Sequence, residues 1–389
     1  MNGGTWRMSW AGVRTVATLE LRQRVRSTRW VVALVVWVVV VGAITALTTG
    51  ALGALAGQQS GPLHRGPLLF SVVTFLVLGL GLLVTPTLSS TAVNGDRAAG
   101  TLATVQVTLL TPAEIATGKL LAGFGSAGAF LVASLPFYGV AMAMGGTSVR
   151  TLLSVLVVTA VILAAVCGIG IGFSALAART AGSTVLTFLG VAGLAVFTLV
   201  FFGLTLPTAT SHEQVRVWGV PESSTQQCES TALGDTSCSG SVTLGGGPVL
   251  GDSPSPDGGS TVPACEWRAA MRDVVHTERT WWLLAANPFV VVADASAVPE
   301  EDLATATSPF AAIRDGVRTA RAGATGVVND CWGASGPLAP PGSTAALSTR
   351  PVWPWGLGFI VLLGVVGYVT AVRRLRIPQR TLARGVRVA

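Results

Sequence analysis

A chain of 389 residues that is 50% hydrophobic and only 11% charged is too apolar for a soluble domain, where about a quarter of residues are charged. The mean hydropathy of +0.64 agrees, and the pI of 9.9 is deceptive. The basic residues sit at the ends of apolar runs, where anionic lipid attracts them, so the charge of +7 does not read as a nucleic-acid footprint.

Residues 1–30 form a basic N-terminal segment with six Arg and one acid, Glu20. Trp10, Val13, Ala17, Leu21 and Val25 fall near one side of a helix over 10–29. Arg22, Arg26 and Arg29 lie opposite, and Arg24 interrupts the apolar side. This predicts either a helix on the membrane surface or a basic signal that only fixes orientation. Six runs then reach the roughly 20 residues needed to span a bilayer: Val31–Leu55, Pro67–Leu88, Lys119–Ala143, Thr151–Ala177, Thr184–Leu206 and Val352–Val372. The first is too long for a signal-peptide core and reads as an anchor that stays. The spans are rich in small residues (Gly123, Gly125 and Gly128; Gly168, Gly170 and Gly172; Gly364 and Gly367), which let helix backbones approach in lipid. Pro86 and Pro136 predict kinks. No span has an acid, Arg or His in its middle, unlike ion-coupled carriers.

Arg-rich ends place both termini in the cytoplasm: the tail 373–389 begins with Arg373 and Arg374 and contains no acid. Six spans then put the 94–118 loop inside and residues 207–351 outside. That insert has 8 Arg against 15 acids, net −7, leaving +14 elsewhere. Four of the five cysteines, Cys228, Cys238, Cys265 and Cys331, lie in it, which predicts two disulfides in an oxidising compartment. Of three pairings, 228–238 with 265–331 is preferred, because the first closes a short loop and the second ties the more structured part. Cys167 in the fourth span should stay free. Spacing and nearby His do not support a metal site. Residues 222–264 are Ser-, Gly- and Pro-rich and read as loops. Residues 266–280 look helical. "WWLLAANPFVVVADA" (281–295) is too short to span. With Trp281 and Trp282 at headgroup level, it reads as an interfacial or re-entrant element; the alternative is a buried core helix of the insert. The fold expected is an all-α membrane protein: six transmembrane helices, with a large, partly irregular extracytoplasmic insert between helices five and six.

Motif chemistry is sparse. Gly118-Lys119 is no phosphate-binding loop, because Ala113 and Leu120 stand where that motif needs Gly and a hydroxyl. Gly123-x-Gly125-x-x-Gly128 lies inside an apolar span and reads as helix packing. No catalytic triad or metal motif is evident, so the chain is not expected to be catalytic by itself. Thr111-Pro112-Ala113-Glu114 is a capping box with Pro at the first helical position, so a helix starts there. Ahead of it, Asn94-Gly95 and Gly100 break the second span. Leu102, Val105 and Leu109 put one apolar stripe on a short helix, although Val105, Val107 and Thr108 also allow a strand. Such a stripe needs a partner.

The stretch "NGDRAAGTLATVQVTLLTPAEIATGKLLAG" resembles the loop between spans two and three of type 2 ATP-binding-cassette (ABC) exporter permeases. Asp96, Arg97, Gly100, Thr101, Leu102, Pro112, Gly118 and Lys119 match that pattern, whereas the family's Glu after Leu is Ala103 here. "LLAANPF" (283–289) is similar to the apolar stretch before the family's last span. The resemblance implies a bacterial cell-membrane permease subunit that pairs with a second permease half, identical or not. It also implies a separate ABC ATPase subunit, which binds ATP and Mg and docks on the 94–118 loop; the chain itself would bind no cofactor. Gly-rich, uncharged spans fit a hydrophobic or amphipathic cargo. Two alternatives remain: a mechanotransmission complex acting on an envelope partner through its outer insert, and a membrane-anchored receptor without an ATPase. The Arg-for-Lys, Ala- and Gly-rich composition hints at a high-GC bacterial genome.

Overall fold

The computed structural model describes residues 6–55, 65–100, 110–219, 265–296, 308–324, 326–333, 336–337 and 350–375. The helices before the first strand are α1 (Trp10–Val25), α2 (Thr28–Leu55), α3 (Arg65–Ser89), α4 (Asn94–Ala98), α5 (Pro112–Ala133), α6 (Leu135–Ala143), α7 (Val149–Leu176), α8 (Thr180–Ala192) and α9 (Thr198–Thr205). Strands β1 (Thr210–Gly219) and β2 (Glu266–Val275) follow, then α10 (Trp281–Ala285), α11 (Pro288–Ala295), α12 (Pro309–Ala322), the short strands β3 (Val327–Asn329), β4 (Trp332–Gly333) and β5 (Gly336–Pro337), and α13 (Trp353–Arg374). Six helices among the described residues are long and apolar enough to cross a membrane: Thr28–Ala51, Arg65–Ala98, Pro112–Ala143, Val149–Leu176, Thr180–Thr205 and Trp353–Arg374. The chain is a multi-pass membrane protein.

The chain divides into two compact units. In the first, spans two, four and six run parallel in one stack. A Cβ on Gly81 of α3 would lie 3.1 Å from Leu163 of α7, and one on Gly170 would collide with Ser89. Between α7 and α13 the backbones touch. A Cβ on Gly168 would lie 2.5 Å from the Gly364 carbonyl oxygen, and one on Gly172 would lie 2.5 Å from Gly367 Cα. This is the small-residue packing that drives association where no hydrophobic effect operates. The third span is different: a Cβ on Gly123 or Gly125 would make only ordinary contact, and Gly128 has open space. Of Gly123-x-Gly125-x-x-Gly128, Gly123 is buried against Cys167 of the fourth span, and none of the three is required by a close backbone approach within this chain.

Pro136 breaks the third span between α5 and α6, where the Ser134 hydroxyl accepts from Trp37 Nε1 at 2.9 Å and donates to the Phe130 carbonyl at 2.9 Å. Pro86 stays inside α3. Asn94-Gly95 does not end the second span as expected. A turn at 90–93 does, because the Ser174 hydroxyl accepts from the Val93 and Asn94 amides at 3.0 and 3.1 Å and starts α4 there. Gly100, at φ +69°, closes α4 in the left-handed region that glycine enters freely. The fifth span has a π-helical segment, Gly193–Phe197. Asn287 serves it: its amide donates to Ala195 O at 2.8 Å and Thr198 Oγ1 at 3.0 Å, while its carbonyl caps Phe289 N at 2.9 Å.

Residues 281–296 and 308–318 belong with the spans rather than with the rest of the insert. Val291, Val292 and Ala293 of α11 are buried in the span core, and Phe289 packs on Phe75 at 5.9 Å. Phe310 of α12 stands edge-on to Phe75 at 4.8 Å. The Asn-Pro-Phe element is thus buried, but its core is that of the spans and not of the insert. Trp282 is exposed, whereas Trp281 is half-buried. Asp294 is fully buried and fixes the arrangement. It accepts from Arg318 Nε at 2.6 Å and from the first amides of α13, Val352 N and Trp353 N, at 2.6 and 2.7 Å. A carboxylate at a helix N-terminus meets unsatisfied N–H groups and the positive end of the dipole.

The second unit is a sheet in the order β2-β1-β3, with β1–β2 antiparallel and β1–β3 parallel. Val215, Val217 and Val274 form its buried face. Residues 266–275 are therefore a strand and not the expected helix. All ten pair with β1, and that pairing overrides the helix propensity of Ala, Arg, Met and Glu. The Cys265–Cys331 disulfide, with Cα atoms 6.1 Å apart, links the start of β2 to the residues after β3. Cys228 and Cys238 lie outside the described residues, as does 222–264. Cys167 is free and buried.

Replacing Gly168 or Gly364 with Val should separate the α7–α13 backbones and lower stability by at least ~1–3 kcal/mol. Gly128→Ala, placed in open space, should gain up to ~1 kcal/mol of helix propensity. Thermal unfolding in detergent checks both. Equal midpoints for the two classes would contradict the seam.

Candidate functional site: a charged knot at the loop between spans two and three

Outside the insert the chain has three acids, Glu20, Asp96 and Glu114, and its one lysine, Lys119. The structure brings all four to α1, α4 and the start of α5. Lys119 is 3% exposed and pairs with Glu20 and, at 2.5 Å, with Asp96. Glu114, also buried, makes the capping box with Thr111: its Oε2 accepts from Thr111 N at 2.7 Å, and Thr111 Oγ1 accepts from Glu114 N at 3.2 Å. Its other oxygen accepts from Ser9 N at 2.7 Å, and Ser9 is the N-cap of α1. One carboxylate therefore serves the starts of two helices. Thr111 Oγ1 also donates to Arg7 O at 2.7 Å.

These bonds lay α1 parallel to α5. Gly118 permits it, since a Cβ there would lie 2.6 Å from Val16 Cβ. Val13 is fully buried in this seam, while Trp10 and Val25 stand exposed. The apolar side expected to face lipid is therefore divided, and its centre is spent on α5. Arg24, which seemed to interrupt that side, turns inward and donates to the Leu88 carbonyl at 2.9 Å. Arg22, Arg26, Arg29, Arg97, Arg373 and Arg374 are exposed. Pro112 occupies the first position of α5, and Gly100 ends α4. Thr101, Leu102, Val105 and Leu109 lie outside the described residues, so the knot is seen at the two ends of the loop they occupy.

A second cluster was invisible in the sequence because its members are 65 residues apart. In the second unit, His276 Nε2 lies 2.8 Å from Ser211 Oγ, and His276 Nδ1 lies 2.7 Å from Glu278 Oε1. The order imitates a Ser-His-acid triad. Glu213 changes its chemistry: the Ser211 hydroxyl donates to Glu213 Oε1 at 2.8 Å, and the same oxygen lies 3.0 Å from Nε2. Carboxylates at both nitrogens favour the imidazolium form, which has no lone pair to take a proton from Ser211. The Glu278 hydrogen bond, followed by that of Glu213, raises the His276 pKa above its usual 6.5. The cluster is an ion-paired clasp between the start of β1 and the turn after β2. Among the described residues no group of His, Cys, Asp and Glu is arranged to hold a metal ion.

No protein-family model matches the sequence, and no curated protein is significantly similar to it.

Lys119→Met should leave Glu20 and Asp96 facing each other uncompensated, a loss of ~3–5 kcal/mol for a broken buried pair. The expected result is release of α1, read as faster tryptic cleavage after Arg14; unchanged cleavage would refute the knot. For the second unit the raised His276 pKa sets the sign. The clasp contributes fully below the ordinary histidine value and is lost as pH rises through the elevated one. Hydrogen-exchange protection of 210–219, corrected for intrinsic rates, should therefore fall on alkalinisation, and Glu278→Gln should reduce that dependence.

Proposed function

We propose that the chain is the permease subunit of an ATP-driven ABC exporter in the bacterial cell membrane, with both termini cytoplasmic. A separate ATPase subunit binds ATP and Mg and docks on the 94–118 loop. A second permease half, identical or different, completes the pore, and the cargo is hydrophobic or amphipathic. The observation that carries this reading is the charged knot. Asp96 before the 101–109 segment and Thr111–Glu114 after it are both fastened to a framework of α1 and α5. A loop held at both ends by a rigid framework can pass a push from a partner into the third span, instead of absorbing it. The resemblance of the same stretch to exporter permeases points to the same partner. This chain contributes anchoring and transmission, and hydrolysis belongs to the ATPase.

A second reading, mechanotransmission to an envelope partner, is favoured by the outer sheet having its own core and a disulfide. Cargo efflux from vesicles separates the two.

Leu102→Asp with Val105→Asp puts charge into the expected docking stripe, at a cost of several kcal/mol if buried unpaired. It should abolish co-purification of the ATPase and stimulated hydrolysis while leaving insertion intact. Thr111→Ala removes one cap, worth ~1 kcal/mol, and should weaken coupling only mildly. A double variant that binds and stimulates like wild type would overturn the coupling role of the loop.

A further inference from the structure

We propose that the outward face of α1 is a binding site for the headgroup phosphate of an anionic phospholipid, gripped by Arg22 and Arg26. The argument begins with the charges. The three acids outside the insert are Glu20, Asp96 and Glu114. The first two are committed to Lys119, and Glu114 to backbone amides. Arg22 and Arg26 make no ion pair or side-chain hydrogen bond among the described residues. Among the described residues no acid supplies their counter-charge, which leaves both cations open to an anionic ligand.

Geometry then narrows the source. Arg22 and Arg26 are one turn apart on the same face. They share an open face of α1 with Thr15, Thr18, Leu19 and Gln23. The Thr15 and Thr18 hydroxyls donate to Ala11 O and Arg14 O of their own helix at 2.8 Å each. The donors left for a ligand are thus two guanidinium groups and the Gln23 amide. Planar guanidinium groups match phosphate oxygens two at a time.

Depth selects a lipid over a protein partner. Arg26 lies five residues before Val31, at the break between α1 and α2. From Val31 onward α2 exposes an apolar face: Val31, Val32, Val35 and Val36 are 46–55% exposed. Two cations just ahead of the first lipid-facing valines stand at phosphate level. Leu19 and Val25, both exposed on α1, can meet the first carbons beneath the headgroup. Arg24, on the same turn but bonded to Leu88 O, takes no part.

The test uses the full chain in nanodiscs of equal phosphatidylglycerol and phosphatidylcholine, with retained lipid counted by native mass spectrometry. Wild type should retain phosphatidylglycerol preferentially. R22Q/R26Q should reduce that preference roughly thirtyfold, as loss of two interfacial cations predicts, while R14Q, one basic residue further along α1, should leave it within about twofold. Should the double variant not fold, R22Q and R26Q are read singly, each expected to lower the preference about fivefold. An unchanged preference in these variants overturns the proposal. So does an equal loss in R14Q, which would mean diffuse attraction without a site. Loss of ATPase association with unchanged lipid preference would overturn it in favour of a protein partner.

Discussion

Lys119 holds a position on which much of the membrane unit depends. A buried ammonium is costly unless paired, and outside the insert only three carboxylates exist to pair it. Two converge on it, from α1 and α4, and the third ties the starts of α1 and α5 together. Scarcity gives these contacts their specificity. Where charges are plentiful an ion pair can exchange partners, but outside the insert Lys119 has only Glu114 as an alternative acid, and that carboxylate is held by backbone amides. The N-terminal helix, remote in sequence from the loop between spans two and three, is thereby built into the same framework.

The other end of the span stack is held by different means. Asn287 satisfies the π-helical irregularity of the fifth span, and Asp294 gathers α11, α12 and the start of α13. Between the two ends, backbone contact of Gly168 and Gly172 with Gly364 and Gly367 leaves little room for sliding. Spans two, four and six behave as one block. Spans one and five, largely exposed, carry the faces available to lipid or to another subunit.

How much of this was legible in the sequence depended on the range of the interaction. The spans follow from local composition, and the capping box at Thr111–Glu114 from a four-residue pattern; both appear in the structure as read. The preference for pairing Cys265 with Cys331 agrees with the observed bond. Residues 266–275 misled because their local preference is helical, whereas a strand 56 residues earlier decides their state. The α12 helix was missed although Phe310, Ile313 and Val317 carry a helical spacing. Glu114 was read as a cap for one helix. Its bond to Ser9, 105 residues away, has no local signature, and neither do the Lys119 pairs. Glu20, Asp96 and Lys119 could have been found by asking which charges a nearly chargeless region keeps.

Asp294 holds the last span through main-chain N–H groups, not through side chains. Such a bond does not depend on the identity of its donors. Residues 352 and 353 can become almost anything except proline without losing it, and Pro354, one position later, marks where that restriction ends. Descendants of this chain could therefore drift widely around the start of the sixth span while keeping its attachment. The invariant an alignment should seek there is a lone carboxylate in an apolar run, with an empty proline column opposite.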